Sequence, residues 1–238
     1  LSRAKRRERQ RERSLQMNVI NFPNKQRQVE ILPRNLNQET YLDTLTNYKK
    51  YIVFAVGPAG TGKTLIGVLN AIKQFQERKV DKIVITRPAV SVDEKHGFLP
   101  GTLEQKMEPW TRPIFDVFQE YYLPREVSGM IEDGIIEISP LAYMRGRTFK
   151  NSYIIADEMQ NATPSQMKML LTRIGENSRM VVTGDLQQAD RMKDNGLLDF
   201  ISKVENRSLD HLAVCRFDRG DIERHEAVKE VLEIYGED

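Results

Sequence analysis

Gly57-Pro58-Ala59-Gly60-Thr61-Gly62-Lys63-Thr64 follows the apolar run Tyr51-Ile52-Val53-Phe54-Ala55-Val56, and after it Leu65, Leu69, Ile72 and Phe75 recur at helical spacing. The octet fits G-x-x-x-x-G-K-[ST] set between a buried strand and a helix, the context in which that pattern cradles phosphate. Its glycines let the backbone curl so that successive N–H groups converge on phosphate oxygens. A helix starting near Lys63 adds the positive end of its dipole. Lys63 is then expected to reach the β- and γ-phosphates, and the Thr64 hydroxyl to bind Mg²⁺. Pro58 stiffens the loop at a position where no N–H is needed.

Outward from this loop, strands and helices alternate. Short apolar runs at residues 51–56, 82–86, 135–138, 153–156, 179–183 and 209–214 read as strands. Helical patterns are expected over residues 37–48, 63–77, 103–122 (interrupted by Pro109 and Pro113), 164–174, 196–204 and 221–235, and a loop over residues 90–101. The apolar faces assigned to three helices are Leu42, Leu45 and Tyr48; Leu65, Leu69, Ile72 and Phe75; and Ile222, Val228, Val231 and Leu232. Thr163 and Ser165 are candidate N-caps. Continuous apolar strands alternating with helices predict an α/β fold: one domain with a mostly parallel sheet and helices on both faces.

Triphosphate hydrolysis needs more than a phosphate cradle. The metal needs a carboxylate from a nearby strand, and the attacking water needs a positioned base. Tyr153-Ile154-Ile155-Ala156-Asp157-Glu158 supplies both at a strand end. Asp157 is expected to hold the metal and Glu158 to orient or deprotonate the water. Val181-Val182-Thr183-Gly184-Asp185-Leu186-Gln187 leaves another strand. Asp185 and Gln187 should therefore line the same sheet edge, where open α/β sheets bind ligands, with Gln187 placed to sense the γ-phosphate. An acidic pair capping a helix and an Asp-bearing turn are the plain structural alternatives.

The 238 residues suit one domain, and the lone Cys215 excludes an internal disulfide, as expected of a reducing cytoplasm. No run of 18 apolar residues and no charged-then-apolar leader is seen. The net charge of +2 hides an asymmetry. Residues 1–13 hold seven basic and two acidic side chains, and the rest of the chain holds 29 basic and 32 acidic ones. A globally basic nucleic-acid binder is thereby excluded, but a mildly acidic body with a basic arm at residues 1–30 is not. The arm reads as a flexible RNA contact or as a solvated tail. Thr86-Arg87-Pro88 and Arg145-Gly146-Arg147-Thr148 suit phosphate contacts. Trp110, Tyr121 and Tyr122 suit either base stacking or a core. His96, His211 and His225 lack zinc-ligand spacing.

Taken together, GPAGTGKT at residues 57–64, TRPAV at 86–90, EKHGFLPG at 94–101 and LAYMRGRTF at 141–149 resemble the PhoH-like family of P-loop ATPases, relatives of superfamily-one helicases. ADEMQNATPSQMKMLLTRIG at 156–175, VVTGDLQQAD at 181–190 and DIERH at 221–225 complete the resemblance, which spans residues 31–235. The chain has Met159 where the family commonly reads DEAQN, which keeps both carboxylates, and Gln188-Ala189-Asp190 where it often continues through Leu-Pro. The resemblance implies a single RecA-like P-loop NTPase domain, ATP and Mg²⁺ as ligands, coupling to RNA or single-stranded nucleic acid, and a homo-oligomeric ring with a hexamer favoured. It also implies the short form, without the nuclease or RNA-binding domain added in some relatives. Gln38 resembles the helicase glutamine that reads adenine. One fold per chain implies that the cation meeting the γ-phosphoryl charge comes from a neighbouring subunit: Arg224, or else Arg219 or Arg173. The competing readings are an ATP-gated binding or assembly switch without unwinding, and a small-substrate kinase. Glu158 beside Asp157 argues against the kinase, since a water-activating glutamate would waste ATP.

Overall fold

The computed structural model describes residues 27–88, 103–187, 194–205, 207–223 and 226–235. Its chain order is α1 (Leu36–Thr46), β1 (Ile52–Val56), α2 (Lys63–Gln76), β2 (Lys82–Thr86), α3 (Leu103–Gln119) and α4 (Pro124–Glu132). There follow β3 (Ile136–Ile138), β4 (Ser152–Ala156), α5 (Pro164–Leu171), β5 (Arg179–Gly184), α6 (Gly196–Val204), β6 (Leu212–Arg216) and α7 (Glu226–Tyr235). The six strands form one sheet in the order β3-β2-β4-β5-β1-β6, and every pairing is parallel.

Parallel strands covered on both faces need apolar residues at every position, and β1, β4 and most of β2 and β5 are buried throughout. The two-residue period of a strand sends alternate side chains to opposite faces. Val53, Ala55, Ile83, Ile85, Tyr153, Ile155 and Val181 therefore join the core with Tyr41, Ile66, Ile72, Ile114 and Phe118 of α1, α2 and α3. Phe54, Val56, Val84, Ile154, Ala156 and Val182 face Leu141, Met144, Met159, Met167, Leu170, Leu197 and Ile201 on the other side. Packing begins at Val29, buried in the first of these cores. Residues 1–26 of the expected arm lie outside the described residues, as do residues 90–101 of the expected loop.

Three helix faces depart from their sequence readings. On α1 the buried side is Gln38, Tyr41 and Leu45, while Tyr48 lies beyond the helix and is exposed. On α2 the inward residues are Ile66, Leu69 and Ile72, and Leu65 is exposed. The α7 residues Val228 and Val231 are about half exposed, and the helix itself starts at Glu226, after a 3₁₀ turn at Arg219–Asp221. Helix α3 runs through both Pro109 and Pro113, with Ile114 and Phe118 one turn apart buried in the core. That packing outweighs the hydrogen bond a mid-helix proline removes. Helix α4 was not anticipated. Pro124 opens it, and the Glu126 carboxylate accepts the Leu123 N–H at 2.8 Å. The Thr163 cap on α5 is present and is reciprocated by Gln166.

Phe54 is fully buried and stacks on Phe200 with centroids 4.8 Å apart. Phe54→Ala is expected to lower unfolding free energy by ~3–5 kcal/mol. Val231→Ala on the exposed α7 face should stay within ~0.5 kcal/mol. Urea denaturation of both variants checks the contrast.

Candidate functional site

The sheet order sets the site. Strand β5 lies between β1, which feeds the glycine-rich loop, and β4, which ends at Asp157. The carboxyl ends of all three strands thus open on one edge. Gly57 leaves β1 at φ +149°, and a Cβ there would stand 2.3 Å from the Phe217 carbonyl oxygen. Gly62, at φ +82°, is the N-cap of α2. The loop's turn is thus written by residues that other side chains could not replace.

Lys63 is buried, and its Nζ donates to the Pro58 carbonyl at 2.5 Å and to Thr61 Oγ1 at 3.2 Å. Its ammonium folds back over its own loop. Burial pushes Lys63 below the usual lysine range, and the Asp185, Glu158 and Asp157 carboxylates pull it back up. A desolvated cation whose partners are mainly carbonyl and hydroxyl oxygens favours the arrival of an anion.

Asp157 is the hub. Its Oδ1 accepts from Thr64 Oγ1 at 2.8 Å and from Thr183 Oγ1 at 2.5 Å, and its backbone N–H donates to the Thr86 carbonyl at 2.9 Å. The Arg87 guanidinium stands 4.0 Å from Oδ2. Glu158 follows in a left-handed conformation, φ +54° and ψ +39°, which turns the chain sharply at the strand end. The buried Gln160 donates to Glu158 Oε2 at 2.5 Å, and its Oε1 accepts the Asp185 N–H at 3.1 Å. One amide thereby ties the Glu158 carboxylate to the end of β5. Gln160 and Thr183 escaped the sequence reading of the site. Gln160 stood in the quoted 156–175 motif without a role, and Thr183 stood just before Gly184-Asp185.

Ala59, Gly60, Gly62, Lys63, Thr64, Asp157, Glu158, Thr183 and Asp185 line one cavity of about 270 Å³. Gly57, Pro58 and Gln187 line a neighbouring cavity of about 350 Å³ with Arg216 and Arg219. The structure therefore brings Lys63, Thr64, Asp157, Glu158 and Asp185 together and sets Gln187 on the adjoining wall. The Gln187 N–H donates to Asp185 Oδ1 at 2.9 Å. Gln38 is buried against the loop, with Nε2 donating to the Thr61 carbonyl at 3.1 Å and Oε1 accepting the Arg34 N–H at 2.9 Å. Arg224 lies outside the described residues. The backbone before it is tied to the loop through Glu223 N–H to the Gly60 carbonyl, 3.1 Å. Asp221 is buried and accepts from Asn37 Nδ2 at 2.8 Å, which fastens this turn to α1.

The outlying candidates are mostly committed elsewhere. Arg147 pairs with Glu137 and lies 4.5 Å over the Phe149 ring. Arg173 donates to the Arg147 and Met169 carbonyls. Tyr121 and Tyr122 pack against the core. Cys215 is buried, and burial pushes its thiol up, away from a reactive thiolate. Among the described residues no cluster of three His, Cys, Asp or Glu could hold a metal alone. A hard cation here would share its ligands with phosphate, and the oxygens of Thr64 and Asp157 suit Mg²⁺ in that role. No helix among the described residues is long and apolar enough to cross a membrane.

The family model described as "PhoH-like protein" matches residues 30–236. The PhoH-like protein of Synechocystis is 39% identical over 204 residues, covering 85% of this chain and 61% of its own. That of Bacillus subtilis is 41% identical over 204 residues, 85% of this chain and 63% of its own. Protein PhoH of Escherichia coli K12 is 40% identical over 215 residues, 86% of this chain and 58% of its own. The chain thus spans about three fifths of the length of these relatives.

Gly62→Ala would place a methyl 3.0 Å from Gln38 Nε2 in a left-handed conformation. We expect a stability loss of ~1–2 kcal/mol, read as a lower urea midpoint at unchanged slope.

Proposed function

The chain belongs to the PhoH-like family of P-loop ATPases, and from that premise we propose that it is a Mg²⁺-dependent ATPase coupled to RNA or another single-stranded nucleic acid. The observation that carries this reading is the Thr64–Asp157 hydrogen bond, with Lys63 and Glu158 lining the same cavity. It joins the phosphate cradle to an acidic pair whose second member is free of the metal-ligand role.

In this reading the loop amides bind the phosphates, and Lys63 exchanges Pro58 and Thr61 for β- and γ-phosphate oxygens. Thr64 and Asp157 would hold a magnesium ion, which would supply neutralisation of the phosphate charge. Gln160 holds the Glu158 carboxylate, which orients a water and accepts its proton as the water oxygen attacks the γ-phosphorus. The bond from that phosphorus to the β,γ-bridging oxygen breaks, and ADP leaves. Gln38, against Thr61, is the candidate for reading adenine, and Gln187 for reporting γ-phosphate loss to the adjoining wall. Arg224 of a neighbouring subunit in a ring, hexamer favoured, is the candidate for the remaining cation. Arg145 and residues of the basic arm are the candidate strand contacts, whereas the Arg87 guanidinium is turned to Asp157 and the Trp110 carbonyl.

Turnover of ATP is expected to fall by ~10²–10⁴ in Glu158→Gln with nucleotide binding kept, whereas Lys63→Ala should lose binding itself. Single-stranded RNA should stimulate the wild type, and the stimulation should vanish at high salt as phosphate contacts are screened. Turnover indifferent to nucleic acid would favour the ATP-gated switch instead. Mixing Arg224→Ala with Glu158→Gln subunits should restore activity if Arg224 acts across an interface. No recovery with assembly intact would count against a role for Arg224 across the interface.

A further inference from the structure

Asp157 has two carboxylate oxygens in different surroundings. Oδ1 is taken by two hydroxyls, Thr64 at 2.8 Å and Thr183 at 2.5 Å. Oδ2 faces the Arg87 guanidinium at 4.0 Å. The same Arg87 Nη1 donates to the Trp110 carbonyl of α3 at 3.3 Å. Arg87 sits on the residue after β2, beside Thr86, whose carbonyl accepts the Asp157 N–H. Its position relative to the carboxylate is therefore fixed by the sheet, while a quarter of its side chain remains open to solvent.

We propose that Arg87 is a positioning residue that competes with the divalent cation for Asp157: it neutralises the carboxylate in the metal-free site and is displaced toward α3 when metal and nucleotide arrive together. This rests on the reading of the cavity as a metal–nucleotide site and adds its regulation. The physical reason is electrostatic. A carboxylate beside an incoming polyphosphate repels it unless a cation intervenes. Without metal, Arg87 supplies that cation. With metal, two positive groups crowd one carboxylate, and the guanidinium, only 4.0 Å away and partly solvated, is the one that can withdraw. Trp110 offers it a carbonyl to keep, so the tie between the phosphate site and α3 loosens on the Asp157 side only.

Both consequences shift one ratio in the same direction. Without Arg87, metal-free nucleotide meets an uncompensated Asp157 and binds more weakly. With metal, nucleotide no longer has a competing guanidinium to displace and binds as tightly or more so. The test is the dissociation constant of a fluorescent ADP measured in EDTA and in Mg²⁺, for the wild type, Arg87→Ala and Arg87→Lys. The ratio of the EDTA to the Mg²⁺ value should rise ~3–10-fold in Arg87→Ala, as expected for removing one partly screened charge near a dication. Arg87→Lys, which keeps the charge, should fall between the two. Circular dichroism and the urea midpoint identify a variant that has not folded, and the lysine variant then carries the comparison against wild type. A ratio equal to wild type in the folded variants, with both constants moved alike or not at all, would mean that Arg87 only supports the fold and would overturn the proposal while leaving the nucleotide reading intact. Wild-type protein that binds no labelled ADP in either buffer would overturn the proposal together with the reading of the cavity.

Discussion

One carboxylate oxygen, Asp157 Oδ1, ties together segments that belong to or follow three neighbouring strands. It accepts from Thr64, the second residue of the helix that follows β1, and from Thr183 of β5, while Asp157 itself terminates β4. Hydrogen bonds to an ionised acceptor are among the stronger ones in proteins. The bond from Thr64 links the glycine-rich loop directly to the acidic strand end, and the bond from Thr183 fastens that strand end to β5. The arrangement exists because β5 is inserted between β1 and β4. A sheet in sequence order would separate these groups.

Around that oxygen the charges are unevenly matched. Three carboxylates, Asp157, Glu158 and Asp185, and one buried lysine line a single cavity. Lys63 is turned onto its own loop and Arg87 onto Asp157. The oxygens that hold Lys63 are ones that a phosphate can replace. Gln160 adds the mechanical link, since its one amide spans the Glu158 carboxylate and the Asp185 N–H. The end of β5 is thereby tied to the Glu158 carboxylate.

Much of this was legible in residue order. The strands stood out because burial on both faces makes them continuous apolar runs, as in Ile52–Val56 and Lys82–Thr86. The phosphate loop, Asp157 and Glu158 were legible because their chemistry fixes both residue type and place at strand ends. Helix faces were legible only in part, through Leu45, Leu69 and Ile72. Leu65 and Ile66 are chemically alike, and only the direction in which α2 crosses the sheet decides that Ile66 is buried. Val228 and Val231 have helical spacing, yet α7 leaves them half exposed. Helix α4 carried its signal in Pro124 and Glu126, but at nine residues its apolar pattern was too short to stand out. The roles of Thr183, Gln160 and Arg87 depend on which strands are neighbours, and a parallel sheet hides that order from the sequence. Strand β6 shows the ordinary limit of boundary assignment, ending two residues later than its apolar run.

The central claim is that the 57–64 loop and Asp157 form one metal–nucleotide site. A crystal structure with Mg²⁺ and a non-hydrolysable ATP analogue tests it most directly. The account predicts the β- and γ-phosphates inside the loop, the metal against the Thr64 hydroxyl with Asp157 beside it, and Glu158 facing the γ-phosphorus across a water. A nucleotide seated elsewhere, or a metal bound without Thr64 and Asp157, would contradict it.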